Sequence, residues 1–271
     1  MELEIASGPL RLAAETAGDG TPIVGMHGLT ATRRYVVMGS RALERSGHRV
    51  VLYDARGHGA SSAPADRDYS AAALAGDLRA VLDGAGIERA VLVGVSMGAH
   101  TATHFALHDP ERVAALALVT PGFDPETAAS RLPRWDALSQ ALRKGGIEGF
   151  LAAYELAALP APWRETVRTV IAQRLAQHRD LDAVADALAA VPRSRPFEDF
   201  GELAAITAPT LVIGSRDEAD PEHPLATARR YAAALPAADF LVEDPGRPPI
   251  AWQGGQLSRA IAQVCERVGA R

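Results

Sequence analysis

The sequence predicts an α/β fold, a mostly parallel sheet covered by helices on both faces. Three observations predict it. Short apolar runs alternate with longer stretches of helical periodicity, the pattern of doubly buried strands joined by crossover helices. A serine flanked by glycines, Gly94-Val95-Ser96-Met97-Gly98, sits where such a run passes into a helical stretch. A chain of 271 residues that is 48% hydrophobic can also fill one large core.

Residues 3–5 and 10–15 read as an opening hairpin turned at Ser7-Gly8-Pro9, and Ile23-Val24-Gly25-Met26 as a buried strand. Residues 36–46 read as helix and 48–53 as the next strand. An amphipathic helix follows over 70–84, with Ser70 as its N-cap. Residues 90–95 are a strand, 97–108 a helix and 113–119 another strand. Two further strands fall at 211–214 and 240–243, separated by a helix at 225–235, and a last helix covers about 256–268. Between 123 and 202 the strand signal disappears into Ala- and Arg-rich helical patterns, broken at Pro133, Pro160-Ala161-Pro162 and Pro192. The expected organisation is a core of residues 1–123 and 203–271 carrying a helical cap at 124–202.

Charge and composition exclude several function classes. A net charge of −5 offers no basic field for nucleic acid or an anionic membrane. No run approaches the roughly 18 apolar residues of a membrane helix. Met1-Glu2-Leu3-Glu4 lacks the basic start of a signal peptide, so a cytoplasmic protein is expected. The single cysteine, Cys265, cannot form an internal disulfide and reads as a buried, inert thiol. The expected partner is a small molecule, bound by a monomer or homodimer.

The chemistry centres on Ser96. A serine on a sharp strand-to-helix turn takes strained dihedrals and needs small neighbours. The following helix N-terminus offers free N–H groups and a positive dipole end, which suit an oxyanion. In enzymes built on this elbow, one oxyanion donor follows the nucleophile and the other follows an earlier strand. Here these are the N–H groups of Met97 and of Leu29, the latter after His27-Gly28, where Gly28 admits a close backbone approach to substrate. The His27 side chain is a candidate substrate contact, although a structural role is the commoner one for such a loop.

With Tyr53-Asp54-Ala55-Arg56-Gly57-His58-Gly59-Ala60-Ser61 following the next strand, the sequence resembles the α/β-hydrolase superfamily in its esterase, haloperoxidase-like and C–C-hydrolase-like branch. The resemblance covers nearly the whole chain and implies an α/β-hydrolase fold, with the Asp54–Ser61 stretch architectural. It implies hydrolysis of a small ester or related carbonyl compound without metal or organic cofactor. It also implies a triad acid at Asp217, in Ile213-Gly214-Ser215-Arg216-Asp217, with Asp124 as a second candidate.

The pattern breaks at the base. The superfamily's histidine position, after the last strand, aligns with Arg247 in Asp244-Pro245-Gly246-Arg247-Pro248, and no histidine follows His223. Arginine cannot serve as a general base, because at pH 7 only about one part in 10⁵ or less is neutral. Three readings stand open. His223, in Asp220-Pro221-Glu222-His223-Pro224, is a candidate relocated base. Arg247 is a candidate carboxylate-binding residue for lyase-type or C–C cleavage chemistry. The scaffold is alternatively a non-catalytic binder of small molecules. His100, His104 and His108 recur every four residues on the helix after the elbow, a spacing that can hold a metal. With no carboxylate on that face, they read as core or lid-facing side chains. His178 reads as solvated. The insertion's Trp135, Phe150, Tyr154 and Trp163 fit an apolar pocket roof or ordinary lid packing.

Overall fold

A computed structural model describes residues 1–216, 220–244 and 254–269. Its strands are β1 (Glu2–Ser7), β2 (Leu10–Ala17), β3 (Thr21–Met26), β4 (His48–Tyr53), β5 (Ala90–Val95), β6 (Val113–Val119), β7 (Thr210–Gly214) and β8 (Ala238–Val242). They form one sheet in the order β1-β2-β4-β3-β5-β6-β7-β8. The β1–β2 and β2–β4 pairs are antiparallel and all the others parallel. The helices are α1 (Ala42–Arg45), α2 (Ala71–Gly84), α3 (Met97–His108), α4 (Ala128–Ala153), α5 (Arg164–Leu175), α6 (Leu181–Ala190), α7 (Leu225–Ala234) and α8 (Gly254–Gly269).

Alternation along the central strands divides the core between the two faces. Val24, Leu92, Leu116 and Val212 pack with Leu78 and Leu82 of α2, Phe105 of α3 and Tyr231 of α7. Their neighbours Ile23, Val91, Ala115 and Ile213 face the other way, against Leu257, Ile261 and Val264 of α8. Cys265 belongs to this second layer, and burial pushes its thiol up to about 12, which suits the inert role read from sequence. α2 starts as predicted, the Ser70 hydroxyl accepting from the Ala73 N–H at 3.2 Å.

Two sequence expectations are corrected. Residues 36–46 are not one helix. A 3-10 turn at Arg33–Tyr35 and the four-residue α1 flank a break where Met38 and Gly39 take positive φ, 46° and 73°, which no α-helix accommodates. Pro133 does not end a helix either: it lies inside α4, whose real interruption is Gly146 at φ 58°, ψ −147°. α4, α5 and α6 lie between β6 and β7 and form a third apolar layer. There Leu138, Leu142, Leu175 and Leu188 pack onto Leu29, Ala55 and Met97, which follow the carboxyl ends of β3, β4 and β5.

The strand order positions the site. From β3 the chain crosses to one side to form β4 and to the other to form β5, so a crevice opens beyond the carboxyl ends of β3 and β5. α3 closes tightly on this junction: a Cβ on Gly98 would stand 2.2 Å from the Met26 carbonyl oxygen of β3. Only glycine therefore fits without moving strand or helix. Gly98→Ala is expected to lower the thermal unfolding midpoint by about 10 °C, at the upper end of what overpacking costs. A midpoint within about 2 °C of wild type would refute this account of the junction.

Candidate functional site

Ser96 sits between β5 and α3 with φ 53° and ψ −108°, a conformation that costs a non-glycine residue on the order of 1–3 kcal/mol. Hydrogen bonds hold it there. The Ser96 N–H donates to Val119 O at 3.0 Å, and Ser96 O accepts from the His100 N–H at 3.0 Å. Gly28, after β3, lies against this turn, since a Cβ there would come within 3.3 Å of Ser96 Cβ. The N–H groups of Leu29 and Met97 make no hydrogen bond to the protein among the described residues. Both are available to a developing negative charge, and the Met97 group also heads the dipole of α3.

The Ser96 hydroxyl meets the histidine that the sequence offered as a relocated base. His223 Nε2 lies 2.6 Å from Ser96 Oγ, across 127 residues of sequence. On the other side of the ring, Nδ1 lies 2.8 Å from both carboxylate oxygens of Asp220. A carboxylate can only accept, so Nδ1 carries the proton and Nε2 presents its lone pair to the serine. Burial pushes the Asp220 carboxyl upward. The His223 ring, the Arg174 charge and the Glu222 N–H outweigh it and hold the group below its ordinary value.

Between these two residues Glu222 is pinned by the insertion. Arg131 of α4 donates to its carbonyl at 2.7 Å and its carboxylate at 2.6 Å, and also to Gly122 O at 3.1 Å. Arg134 donates to the other carboxylate oxygen at 2.5 Å. The segment bearing Asp220 and His223 is thus fastened to the helical insertion. Over Ser96 lies a cleft of about 560 Å³, its open mouth included. Leu29, Met97, Phe123, Trp135, Val191 and Pro192 form its apolar walls, and His100, Arg131, Glu222 and His223 its polar ones.

Other sequence candidates have different places. Asp217 and Arg247 lie outside the described residues. Asp124 is buried and paired with Arg230 at 2.8 Å, with no bond to His223. His27 is structural rather than substrate-facing. It is 1% exposed, Nδ1 donates to Gly28 O at 2.8 Å, and Nε2 accepts from the Ala55 N–H at 3.0 Å. His178 is not solvated. Its Nδ1 accepts from the Gly59 N–H and its Nε2 donates to Thr30 O, both at 2.9 Å, which latches the insertion to the loop holding Leu29. No metal-holding group of three or more His, Cys, Asp or Glu side chains occurs among the described residues. His104 donates to Pro196 O at 3.2 Å and His108 to His104 O at 2.8 Å. Sequence reasoning missed Asp220, although an aspartate three residues before the last histidine of the chain was a usable signal.

Comparison with known proteins agrees with this fold. The family model described as alpha/beta hydrolase fold matches residues 21–254. The chain is 32% identical to a Pseudomonas putida protein named 2-hydroxy-6-oxononadienedioate/2-hydroxy-6-oxononatrienedioate hydrolase 2, over 86% of this chain and 83% of that one. It is also 32% identical to a Variovorax paradoxus protein named "Putative carbamate hydrolase RutD", over 78% of this chain and 79% of that one. Among solved structures, a thermophilic esterase from Thermogutta terrifontis superposes with a TM-score of 0.77 at 25% identity, covering 99% of each chain.

The buried histidines carry a stability prediction. Burial depresses His27 and His100 to about 3, and also lowers His58 and His178. Below the unfolded value near 6.5 the unfolded chain takes up protons that the folded chain refuses, so stability falls as pH falls. At pH 5 the loss is about 2 kcal/mol for each of His27 and His100. The urea unfolding midpoint is expected to drop clearly between pH 7.5 and pH 5, a window in which ordinary carboxylates stay ionised. Equal midpoints at the two pH values would contradict it.

Proposed function

This chain belongs to the alpha/beta hydrolase fold family, and from that premise we propose that it is a serine hydrolase of a small ester or related carbonyl compound, with His223 as base and Asp220 as acid. The observation that carries the reading is the continuous contact from Ser96 Oγ to His223 Nε2 at 2.6 Å and from His223 Nδ1 to Asp220 at 2.8 Å. Both relatives described above are named hydrolases, which supports the reaction class. Their substrates differ, so the names do not choose one for this chain.

In the proposed reaction His223 Nε2 takes the Ser96 Oγ proton as the oxygen attacks the substrate carbonyl carbon. The carbonyl oxygen becomes an oxyanion facing the Leu29 and Met97 N–H groups. His223 returns the proton to the leaving group as the tetrahedral intermediate collapses to an acyl-serine. Water, deprotonated by the same Nε2, then releases the acyl group and restores Ser96. Asp220 keeps the Nδ1 proton in place and stabilises the imidazolium formed in each half-reaction. This base comes from ahead of α7, and with it the chemistry does not require a base at Arg247.

The rate at which a fluorophosphonate probe labels Ser96 tests the reading directly. Wild type is expected to label within minutes, and His223→Ala at least about 10³-fold more slowly. Asp220→Asn is expected to fall by about 10²–10⁴-fold, and Asp217→Asn to stay within about threefold of wild type. Labelling that survives His223→Ala would end the proposal. Sensitivity at Asp217 with indifference at Asp220 would move the acid to Asp217.

Arg131 acts as a positioning residue in this reading, since it grips the backbone and side chain of Glu222, next to the base. Arg131→Met is expected to slow labelling by about tenfold, with kcat for an ester falling more than KM rises. A rate equal to wild type in a folded Arg131→Met protein would remove that role.

A further inference from the structure

The chain contains eight histidines, and seven of them hydrogen-bond through a ring nitrogen. His100 is the exception. It is 6% exposed, its Nε2 is buried without a hydrogen-bond partner, and its ring stands edge-on to Phe123 with centroids 5.6 Å apart. A buried polar atom left unpaired is destabilising. Six side-chain atoms are so placed among the described residues, His58 Nε2 among them, and His100 carries the one that belongs to the cleft over Ser96. Burial depresses this imidazole to about 3, so it is neutral across the physiological range and carries one donor and one acceptor.

Its place points to the use. His100, on α3, follows Ser96 by four residues, and its N–H donates to Ser96 O. One helical turn rises about 5.4 Å, a reach of a few covalent bonds from a carbonyl carbon on Ser96 Oγ. His100 lines the same cleft as Ser96 and His223. Apolar side chains make up much of the wall, and the cationic group in the described lining, Arg131, is already bonded to Glu222.

We propose that the cleft selects an uncharged ester bearing a hydroxyl group a few bonds from the scissile carbonyl, and that His100 binds that hydroxyl. A hydroxyl both donates and accepts, so it satisfies either tautomer of a neutral imidazole, whereas a carboxylate in these apolar walls would meet no free cation among the described residues. His100 thereby sets specificity. The identification of the cleft rests on the reading of Ser96 as nucleophile, but the binding itself does not require turnover.

The test uses the whole chain with Ser96→Ala, which removes the hydroxyl that would attack an ester. Dissociation constants are measured by NMR titration for ethyl 3-hydroxybutanoate, ethyl butanoate and monoethyl succinate. The hydroxy ester is expected to bind about five- to tenfold more tightly than ethyl butanoate, the effect of one neutral hydrogen bond. Adding His100→Leu is expected to bring that ratio to about one, and His100→Gln, which keeps a donor and an acceptor, to restore part of it. A ratio near one in Ser96→Ala overturns the proposal, even if the double variants fail to fold. So does a ratio unchanged by His100→Leu, or tighter binding of monoethyl succinate than of the hydroxy ester. Fluorophosphonate labelling of wild type is scored separately. Absent labelling sinks the nucleophile, while the binding ratio still decides His100.

Discussion

The close approach of α3 to β3, where a single methyl on Gly98 would come within 2.2 Å of the Met26 carbonyl, is the constraint on which the site depends. It forces the chain to turn from β5 into α3 with no slack, and the turn places Ser96 in the left-handed region. That conformation lifts Oγ clear of the sheet and aims the first free N–H of α3 at the same point. The strand order does the rest. Because β3 lies between β4 and β5, the Gly28-Leu29 backbone arrives from the neighbouring strand at the same crevice.

Around this fixed point the polar groups fall into two classes. His27, His58 and His178 serve the backbone: each bonds main-chain atoms of the loops after β3 and β4, and burial keeps all three neutral. They shape the loop that bears Leu29 without entering the cleft over Ser96. His223 and Asp220 belong to the second class, aimed at the serine and held by a segment that has little regular structure of its own. What steadies that segment is the helical insertion, through the paired arginines on Glu222. The insertion therefore both roofs the cleft, through Trp135 and Val191, and grips the histidine beneath it. Covering the cleft with apolar walls strengthens every polar contact inside it, since competing water is reduced.

Much of this was legible in the sequence, and the limit is physical. The alternation of apolar runs and helical periodicity determined the α/β class, since strands buried on both faces and amphipathic crossovers leave different periods. The glycine spacing about Ser96 pointed to the sharp turn there, because a local steric requirement writes itself into adjacent residues. The same locality identified Met97 and Leu29 as candidate oxyanion donors. His223 was visible only as a histidine near the right loop. Its distance from Ser96 depends on where α7 begins relative to β7 and on the α4 arginines that hold Glu222, and both are tertiary facts. Asp220 escaped for the same reason: aspartates abound in that loop, and only the fold says which one meets the ring. His27 and His178 show the converse, since their residue type suggested contact with substrate or solvent and their bonds are to backbone. Sequence alone thus determined the fold class and singled out the proposed nucleophile and oxyanion donors, each marked by neighbours along the chain. Only the tertiary structure decided which histidine faces Ser96, because that choice is made by packing between segments more than a hundred residues apart.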